Sequence, residues 1–238
     1  MIYARKSGVF KRLFGIYYSR LLKRHFYRIH LTGENSLSTR NPDYPTILYA
    51  NHSNWWDGFI AYFLTSKLWN CDDYLMMDIE QLKRYSAFKY LGVFSIERAS
   101  ANETLKSINY AVSLLKNTNR YLWIFPQGKM EVQDFRPIEF LSGITKIAEK
   151  IGRVNLIPIA FRYEYIMEQR PEVFIKIGEP DVINNGQEIK KDFTNYLKGK
   201  LITELHALRE SVQNKNFLSF RTVFRGKESR NKALDKMN

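Results

Sequence analysis

Short apolar segments alternate with longer amphipathic segments along most of the chain. Brief apolar runs bounded by Gly, Pro or Asn predict buried strands, whereas apolar residues spaced three or four apart predict helices. We predict strands over residues 45–50, 74–77, 93–96, 121–125, 155–161 and 173–177. We predict helices over residues 56–69, 80–91, 101–116, 142–151 and 187–212. Alternating strands and helices indicate an α/β fold, a mostly parallel sheet flanked by helices.

An amphipathic helical segment is predicted over residues 9–26, ahead of the first strand. Its apolar face carries Phe10, Leu13, Phe14, Tyr17, Tyr18 and Leu21, and its polar face carries Arg12, Ser19, Arg20, Lys23 and Arg24. Large apolar side chains opposite a basic face are typical of a helix that lies in a membrane interface. The alternative is a helix packed on its own domain. In the first interpretation, residues 1–28 bind the membrane and can be removed from a folded domain.

The charge distribution supports a division into three parts. The net charge is +13, and residues 1–30 hold eight Lys or Arg with no Asp or Glu. Residues 209–238 hold eight against three, so the segment between the two ends is electrically balanced. We therefore predict a basic membrane-contacting segment (1–30), a central domain (31–212) and a basic tail (213–238). Basic ends suit an anionic membrane surface; the balanced middle argues against a nucleic-acid partner.

The same composition limits where the protein is found. No apolar run is long enough to span a bilayer, and the N-terminus lacks the apolar core of a signal peptide. The single cysteine, Cys71, leaves no intrachain disulfide and too few thiols for a cysteine zinc site. We expect a peripheral or monotopic protein on the cytoplasmic face of a membrane, with no metal ion or cofactor.

Candidate chemistry lies just after the first predicted strand. His52 follows that strand, and Asp57 comes five residues later, at the start of a helix. Reactive groups in parallel sheets gather beyond the carboxyl ends of strands. A turn there can bring the Asp57 carboxylate to one imidazole nitrogen and leave the other as a general base. Taken alone, such a pair is more often an ordinary loop histidine with a satisfied hydrogen bond.

Three further strand ends carry chemical features. The turn Phe125-Pro126-Gln127-Gly128 exposes backbone N–H groups that can hold an anion or an oxyanion. Arg98 follows the strand over residues 93–96, where its guanidinium can grip phosphate. Pro158 interrupts the strand over residues 155–161, which suggests a sheet edge or a bulge.

These four segments, in this order, resemble the PlsC-like family of glycerol-3-phosphate and lysophosphatidate acyltransferases. The family's first motif, Asn-His-X4-Asp, is matched by Asn51, His52 and Asp57. Its second, Gly-X-X-Phe-Ile-Asp-Arg, resembles Gly92 to Arg98, with Ser95 in place of Phe and Glu97 in place of Asp. The third, Phe-Pro-Glu-Gly-Thr-Arg, reads Phe125 to Met130 here, and the fourth is the proline at Pro158. The resemblance implies that His52 deprotonates a lipid hydroxyl, which attacks the thioester of acyl-CoA or acyl carrier protein. It also implies an oxyanion held by turn amides near Gly128.

The third motif departs from the family pattern. Gln127 replaces a glutamate and Met130 an arginine, while Lys129 places a point charge one position earlier. Arg136 can supply the missing guanidinium if its loop folds back. The expected acceptor is a lysophosphatidate-like lysophospholipid. The alternatives are a glycosylated or hydroxylated lipid without phosphate, such as a carotenoid glycoside, and a non-catalytic lipid-binding protein.

Overall fold

The computed structural model describes residues 1–166 and 168–228, and within them one mixed sheet forms the centre of the molecule. Its strands are β1 (Arg28–Thr32), β2 (Thr46–Ala50), β3 (Asp73–Asp78), β4 (Val93–Ile96), β5 (Tyr121–Ile124), β6 (Val154–Glu164), β7 (Glu172–Ile177), β8 (Asp181–Ile183) and β9 (Arg221–Arg225). Their order is β4-β3-β5-β2-β6-β7-β1-β9, with β8 paired to β6. The run from β4 to β6 is parallel throughout, and β6 meets β7 antiparallel. The predicted α/β fold with a mostly parallel sheet is confirmed.

Helices cover both faces of this sheet. They are α1 (Gly8–His25), α2 (Asp57–Tyr62, continued by a π-helix over Phe63–Leu68), α3 (Ile79–Arg84), α4 (Ala101–Leu115), α5 (Gly143–Ile151) and α6 (Phe193–Gln213). Buried side chains of α4, α5 and α6 share one core with Ile47 and Tyr49 of β2. Buried side chains of α1 and α2 share the other with Leu48 and Ala50. Successive side chains of β2 therefore point alternately into the two cores, as expected of a strand that is buried on both faces.

Some predicted elements differ from the observed ones. The helix predicted over residues 80–91 is divided into α3 and a 3₁₀-helix (Ser86–Leu91), because Tyr85 leaves the helical region with φ −115° and ψ 51°. Strands β1, β8 and β9 were not predicted, because β1 and β9 carry charged or polar residues and β8 is only three residues long. The predicted boundaries at residues 30 and 212 also differ from the structure, since β1 begins at Arg28 and β9 lies in the predicted tail. Residues 229–238 of that tail lie outside the described residues.

Pro158 lies in the interior of the sheet, so the predicted edge is wrong. It faces Tyr49 of β2 in the parallel ladder. On the other side of β6, β8 pairs with residues up to Leu156 and β7 with residues from Ile159 onward. The proline therefore falls where β6 changes partner, and its missing N–H interrupts neither antiparallel ladder. Its carbonyl still accepts a hydrogen bond from the Gly178 amide, at 2.9 Å.

The N-terminal segment packs on the domain, which argues against its predicted separability. Tyr18 and Leu22 of α1 are each 1% exposed, and the Tyr18 hydroxyl donates to the Phe59 carbonyl at 2.6 Å. Ahead of the helix, Ile2 exchanges hydrogen bonds with Ser95 of β4. Removing residues 1–28 would uncover one face of the core. Burial therefore favours packing on the domain for this side of the helix.

The outward side of α1 carries a second apolar stripe. Val9, Leu13, Ile16 and Tyr17 are between 53% and 72% exposed. The basic side chains Arg12, Arg20, Lys23 and Arg24 are exposed around them. The predicted apolar face is thus divided, because Tyr18 points into the core while Leu13 and Tyr17 point to solvent. In the described part of the chain, no helix has the length and apolar character needed to cross a bilayer.

Candidate active site

The predicted pair comes together at the carboxyl end of β2, in the middle of the sheet. His52 lies two residues beyond the strand, and Asp57 is the first residue of α2. The turn between them returns the carboxylate to the ring, so that His52 Nδ1 lies 2.8 Å from Asp57 Oδ2. Asp57 is fully buried, whereas 24% of the His52 side chain is exposed. The turn predicted from the spacing is therefore present, and Nε2 is the ring nitrogen left for other partners.

Hydrogen bonds from three more groups hold the buried carboxylate of Asp57. Its Oδ2 accepts from the backbone amides of Ser53 at 2.6 Å and Asn54 at 2.9 Å. Its Oδ1 accepts from the Tyr163 hydroxyl at 2.7 Å. Burial, followed by the nearby Asp57 charge, raises the pKa of Tyr163 well above its ordinary value, so the phenol stays a neutral donor. Donors of this kind stabilise the ionised form of a buried carboxylate.

Neighbouring side chains fix the His52 backbone and ring. Asn51 joins the end of β2 to β6, since its side chain donates to the Phe161 carbonyl and accepts from the Phe161 amide. The Gln127 Oε1 accepts from the His52 amide at 2.7 Å. The Phe125 ring stacks on the imidazole with centroids 4.6 Å apart. Of the predicted substrate-binding residues, Gln127 and Phe125 thus contact His52 itself.

A large apolar cavity opens beside His52. Its volume is about 380 Å³, within the range of ligand-binding pockets. Its walls come from α1, α2, β3 and β4 and include Phe14, Gly58, Phe59, Leu75, Met76 and Val93. Trp55, Pro126, Lys129 and Met130 also border it. The dyad therefore lies at an apolar chamber suited to a long hydrocarbon chain.

Arg98, the predicted phosphate-binding residue, already has hydrogen-bond partners within the protein. Its guanidinium donates to Asp78 Oδ2 at 2.8 Å and to the Gly128 carbonyl at 2.6 Å. Gly128 has φ +73°, and a Cβ there would lie 2.2 Å from Arg98 Nη1, so the contact requires glycine. The Gly128 amide donates to the Phe125 carbonyl at 3.0 Å. It closes the turn and is not one of the exposed donors predicted for an oxyanion.

The loop that follows β5 folds back over His52. The Glu131 amide donates to the His52 carbonyl at 2.9 Å. Lys129 forms an ion pair with Glu131, and Arg136 donates to the Phe135 carbonyl at 2.7 Å. Arg136 borders a small cleft of about 10 Å³ that His52 and Gln127 also line. The structure therefore places Arg136, but not Arg98, at this second opening beside His52.

Sequence reasoning missed Tyr163 and Gln133. The Gln133 side chain forms two hydrogen bonds with the Tyr163 backbone: it accepts from the amide at 2.7 Å and donates to the carbonyl at 3.3 Å. Arg162 beside it binds Asp134 of the same loop at 3.0 Å. The strand predicted over residues 155–161 stops before these residues, whereas β6 runs to Glu164. Extending that strand to its last polar residues would have placed Tyr163 at the sheet's functional edge.

Comparison with known proteins identifies the family to which this chain belongs. The family model described as Acyltransferase matches residues 28–162, more than half of the chain. The chain belongs to the Acyltransferase family. The resemblance to the PlsC-like acyltransferases is thereby confirmed, and the matched range contains His52, Asp57 and the Phe125–Gly128 turn.

Individual relatives of this acyltransferase family member are distant. A 1-acyl-sn-glycerol-3-phosphate acyltransferase from Streptococcus pneumoniae is 23% identical over 73% of this chain and 64% of its own length. A putative 1-acyl-sn-glycerol-3-phosphate acyltransferase from Caenorhabditis elegans is 26% identical over 49% of this chain and 40% of its own. The chain thus spans less than two thirds of these relatives.

A solved structure shares the fold of this family member. The crystal structure of the lysophosphatidate acyltransferase PlsC from Thermotoga maritima has a TM-score of 0.60 and 20% identity. The similarity covers 84% of this chain and 80% of that one. It supports the α/β architecture described above.

Proposed function

We propose that the protein transfers a fatty acyl group from a thioester to a hydroxyl group of a membrane lipid, with His52 as general base. The observation that carries this proposal is the hydrogen-bonded pair of His52 and Asp57 beside a large apolar cavity. A base next to an apolar chamber suits a reaction between a long acyl chain and a hydroxyl. Membership of the acyltransferase family supports the same chemistry.

The proposed reaction is a direct transfer without an acyl-enzyme. Asp57 accepts a hydrogen bond from the Nδ1–H group, so Nε2 carries the lone pair that takes the proton from the acceptor hydroxyl. The oxygen attacks the thioester carbonyl and forms a tetrahedral oxyanion. Collapse of that intermediate breaks the carbon–sulfur bond, and the thiolate leaves with the proton that His52 holds. Asp57 stabilises the imidazolium between the two proton transfers.

The donor is proposed to be acyl-CoA or an acyl carrier protein, with its acyl chain in the cavity. Side chains from α2, β3 and β4 surround this space with hydrocarbon, and His52 lies at its border. Burying methylene groups there stabilises the complex by about 0.8 kcal/mol for each CH₂. The thioester carbonyl then reaches the vicinity of Nε2.

The acceptor is proposed to be a lysophosphatidate-like lysophospholipid. Both relatives described above carry the name 1-acyl-sn-glycerol-3-phosphate acyltransferase. Arg136 is the candidate for holding the phosphate. It borders the cleft beside His52, and its guanidinium donates to a neighbouring carbonyl instead of a carboxylate.

A phosphate-free acceptor, such as a glycosylated or hydroxylated lipid, is the second candidate. The observation in its favour is that Arg98 is paired with Asp78 and Lys129 with Glu131. These two cations border the cavity with their charges already balanced. A phosphate would have to compete with those carboxylates, whereas a neutral hydroxyl would not.

The membrane contact is proposed for the outward side of α1. Leu13 and Ile16 are 62% and 53% exposed, and exposed arginines and lysines lie beside them. An apolar stripe flanked by basic side chains suits an anionic bilayer surface. Phe14 of the same helix borders the cavity, so this attachment would bring the cavity close to the lipid.

The test of acyl transfer is release of free thiol from long-chain acyl-CoA in the presence of lysophosphatidate or a neutral glycolipid. We expect wild-type turnover with one of these acceptors and a loss of about 10³-fold in His52→Ala. His206→Ala is the matched control, because His206 is exposed on α6. Full activity of His52→Ala would disprove the mechanism.

The test of membrane contact is sedimentation with phosphatidylglycerol vesicles. The double variant Leu13→Ser, Ile16→Ser should bind roughly 10-fold more weakly, because it removes two apolar side chains from the interface. Leu105→Ser is the matched control, since Leu105 is 45% exposed on α4, which packs on the opposite face of the sheet. Equal binding by both variants would remove α1 as the anchor.

A further inference from the structure

The hydrogen bonds of the Asp57 carboxylate are divided unequally between its two oxygens. Oδ2 accepts from His52 Nδ1 and from the amides of Ser53 and Asn54. Oδ1 accepts from the Tyr163 hydroxyl at 2.7 Å, and the described residues supply it with no second hydrogen bond. One phenol therefore satisfies an oxygen that is completely shielded from solvent.

We propose that Tyr163 is a positioning residue for proton transfer, which acts through Asp57 to set the orientation and basicity of His52. This proposal rests on the proposed function, in which His52 is the general base. Tyr163 does not border the cavity, and its hydroxyl binds Asp57 instead of His52, so its effect passes through the carboxylate. It belongs to none of the motifs that carry the family resemblance.

The backbone around Tyr163 is held rigidly enough for this role. The Gln133 side chain bonds both the amide and the carbonyl of Tyr163. Two residues earlier, Asn51 bonds both the amide and the carbonyl of Phe161. Strand β6 thus fixes the position of the phenol, while the backbone amides of Ser53 and Asn54 fix Asp57. A carboxylate held from two elements keeps one orientation toward the imidazole.

The phenol hydroxyl also reduces the negative charge of Asp57 that acts on His52. A hydrogen bond to Oδ1 draws negative charge away from the side of the carboxylate that faces the imidazole. Without it, Asp57 attracts the imidazolium more strongly and His52 keeps its proton to higher pH. Activity that requires the neutral imidazole is then lost at a higher pH than in the wild-type protein. Orientation is also loosened, because one buried oxygen has lost its partner.

Other ionisable groups face the same site and have to be held constant. Glu131 and Arg136 border the cleft on one side of His52, and Asp78, Tyr85, Arg98 and Lys129 border the cavity. Tyr18 of α1 lies close enough to act on the Tyr163 phenol. Replacing tyrosine by phenylalanine changes none of these groups. A difference between two pH profiles therefore reports the phenol hydroxyl alone.

The experiment compares Tyr163→Phe with the wild-type protein in pH-dependent kinetics and in an NMR titration of the His52 imidazole. We expect kcat to fall about 10-fold with KM within about twofold, as for a group that acts only on the chemical step. The acid limb and the His52 titration midpoint should both move up by about one pH unit. Tyr49→Phe is the matched control, because the buried Tyr49 hydroxyl has no hydrogen-bond partner among the described residues.

The outcomes separate this proposal from the proposed function. Wild-type kcat and acid limb in Tyr163→Phe, with His52→Ala inactive, would overturn the role of Tyr163 and leave the proposed function standing. Full activity in His52→Ala would overturn the function itself. If Tyr163→Phe does not fold, Tyr163 is replaced by 3-fluorotyrosine, a stronger donor. The acid limb should then move down, and an unmoved limb would overturn the proposal.

Discussion

His52 borders two openings of very different character. On one side is a cavity of about 380 Å³ with walls of aromatic and aliphatic side chains. On the other is a cleft of about 10 Å³ beneath the loop that follows β5, lined by polar groups such as Gln127, Glu131 and Arg136. A hydrocarbon chain is stabilised in the first and a polar headgroup in the second. The difference suggests a division of labour in which the two substrates approach the base from separate openings.

The two sequence motifs beside His52 also differ in how far they follow the family pattern. The first motif, Asn51, His52 and Asp57, is complete, and the hydrogen bonds of Asp57 hold it in place. The third motif is altered: Gln127, at the cleft, binds the His52 amide, while Lys129, at the border of the cavity, pairs with Glu131. The residues that define the reaction are therefore unchanged, while those expected to recognise the acceptor have structural partners. The acceptor is where this protein is expected to differ most from its relatives.

The largest expected effect comes from Asp57→Asn, which removes the carboxylate that orients His52, the residue that borders both openings. An asparagine no longer fixes the Nδ1–H tautomer, so kcat should fall about 10³-fold. Binding of a fluorescent fatty-acyl probe should remain within about twofold, because the cavity walls are unchanged. Asp43→Asn, at an exposed loop position, is the control. Loss of probe binding in parallel with turnover would show that the dyad and the cavity are not independent.

The second effect tests the cavity alone through Gly58→Leu. A Cβ at Gly58 would lie 3.9 Å from Leu75 Cδ1, so the backbone accepts a side chain that then fills the cavity. Displacing about two methylene groups should lower kcat/KM for long-chain acyl-CoA roughly 10-fold and spare short-chain donors. Gly199→Leu, which enters open space on α6, is the control. An equal loss for all chain lengths would place the acyl chain elsewhere.

The third effect tests the cleft alone through Arg136→Gln. Removing the guanidinium should lower kcat/KM for lysophosphatidate about fivefold and leave a neutral acceptor unaffected, because only phosphate gains from the charge. Arg153→Gln, an exposed arginine ahead of β6, is the control. Unchanged kcat/KM with lysophosphatidate would favour the phosphate-free acceptor or a phosphate site away from Arg136.

The smallest effect concerns the attachment of the loop that carries Arg136. The Arg162 hydrogen bond to Asp134 holds the pKa of that carboxyl below its ordinary 3.8. A carboxyl with a lowered folded-state pKa stabilises the fold above the unfolded-state pKa, and this contribution disappears as pH falls through the folded-state value. Asp134→Asn should therefore raise amide exchange over residues 131–136 about threefold at neutral pH. Variant and wild type should converge well below pH ~4; a difference that persists there would exclude the carboxylate as its cause.

Local periodicity was enough to predict most of the sheet and the two residues of the dyad. The apolar runs that became β2, β4 and β5 are short, and the first polar residue after each of them marks the functional edge of a parallel sheet. His52 and Asp57 are five residues apart, so one turn determines their contact. The α1 helix itself was also predictable, because its spacing is local. These features depend on neighbours along the chain, and such neighbours are visible in the sequence.

Only the tertiary structure decided the partners of these residues. Tyr163 is 106 residues from Asp57, and Gln127 is 75 residues from His52, so no spacing rule connects them. Arg98 had the position of a phosphate ligand, but the fold brings Asp78 and the Gly128 carbonyl to it first. The aromatic face of α1 is likewise divided between core and solvent by the helices it meets. The sequence determined which groups could react, and long-range packing determined which of them are already bound to something else.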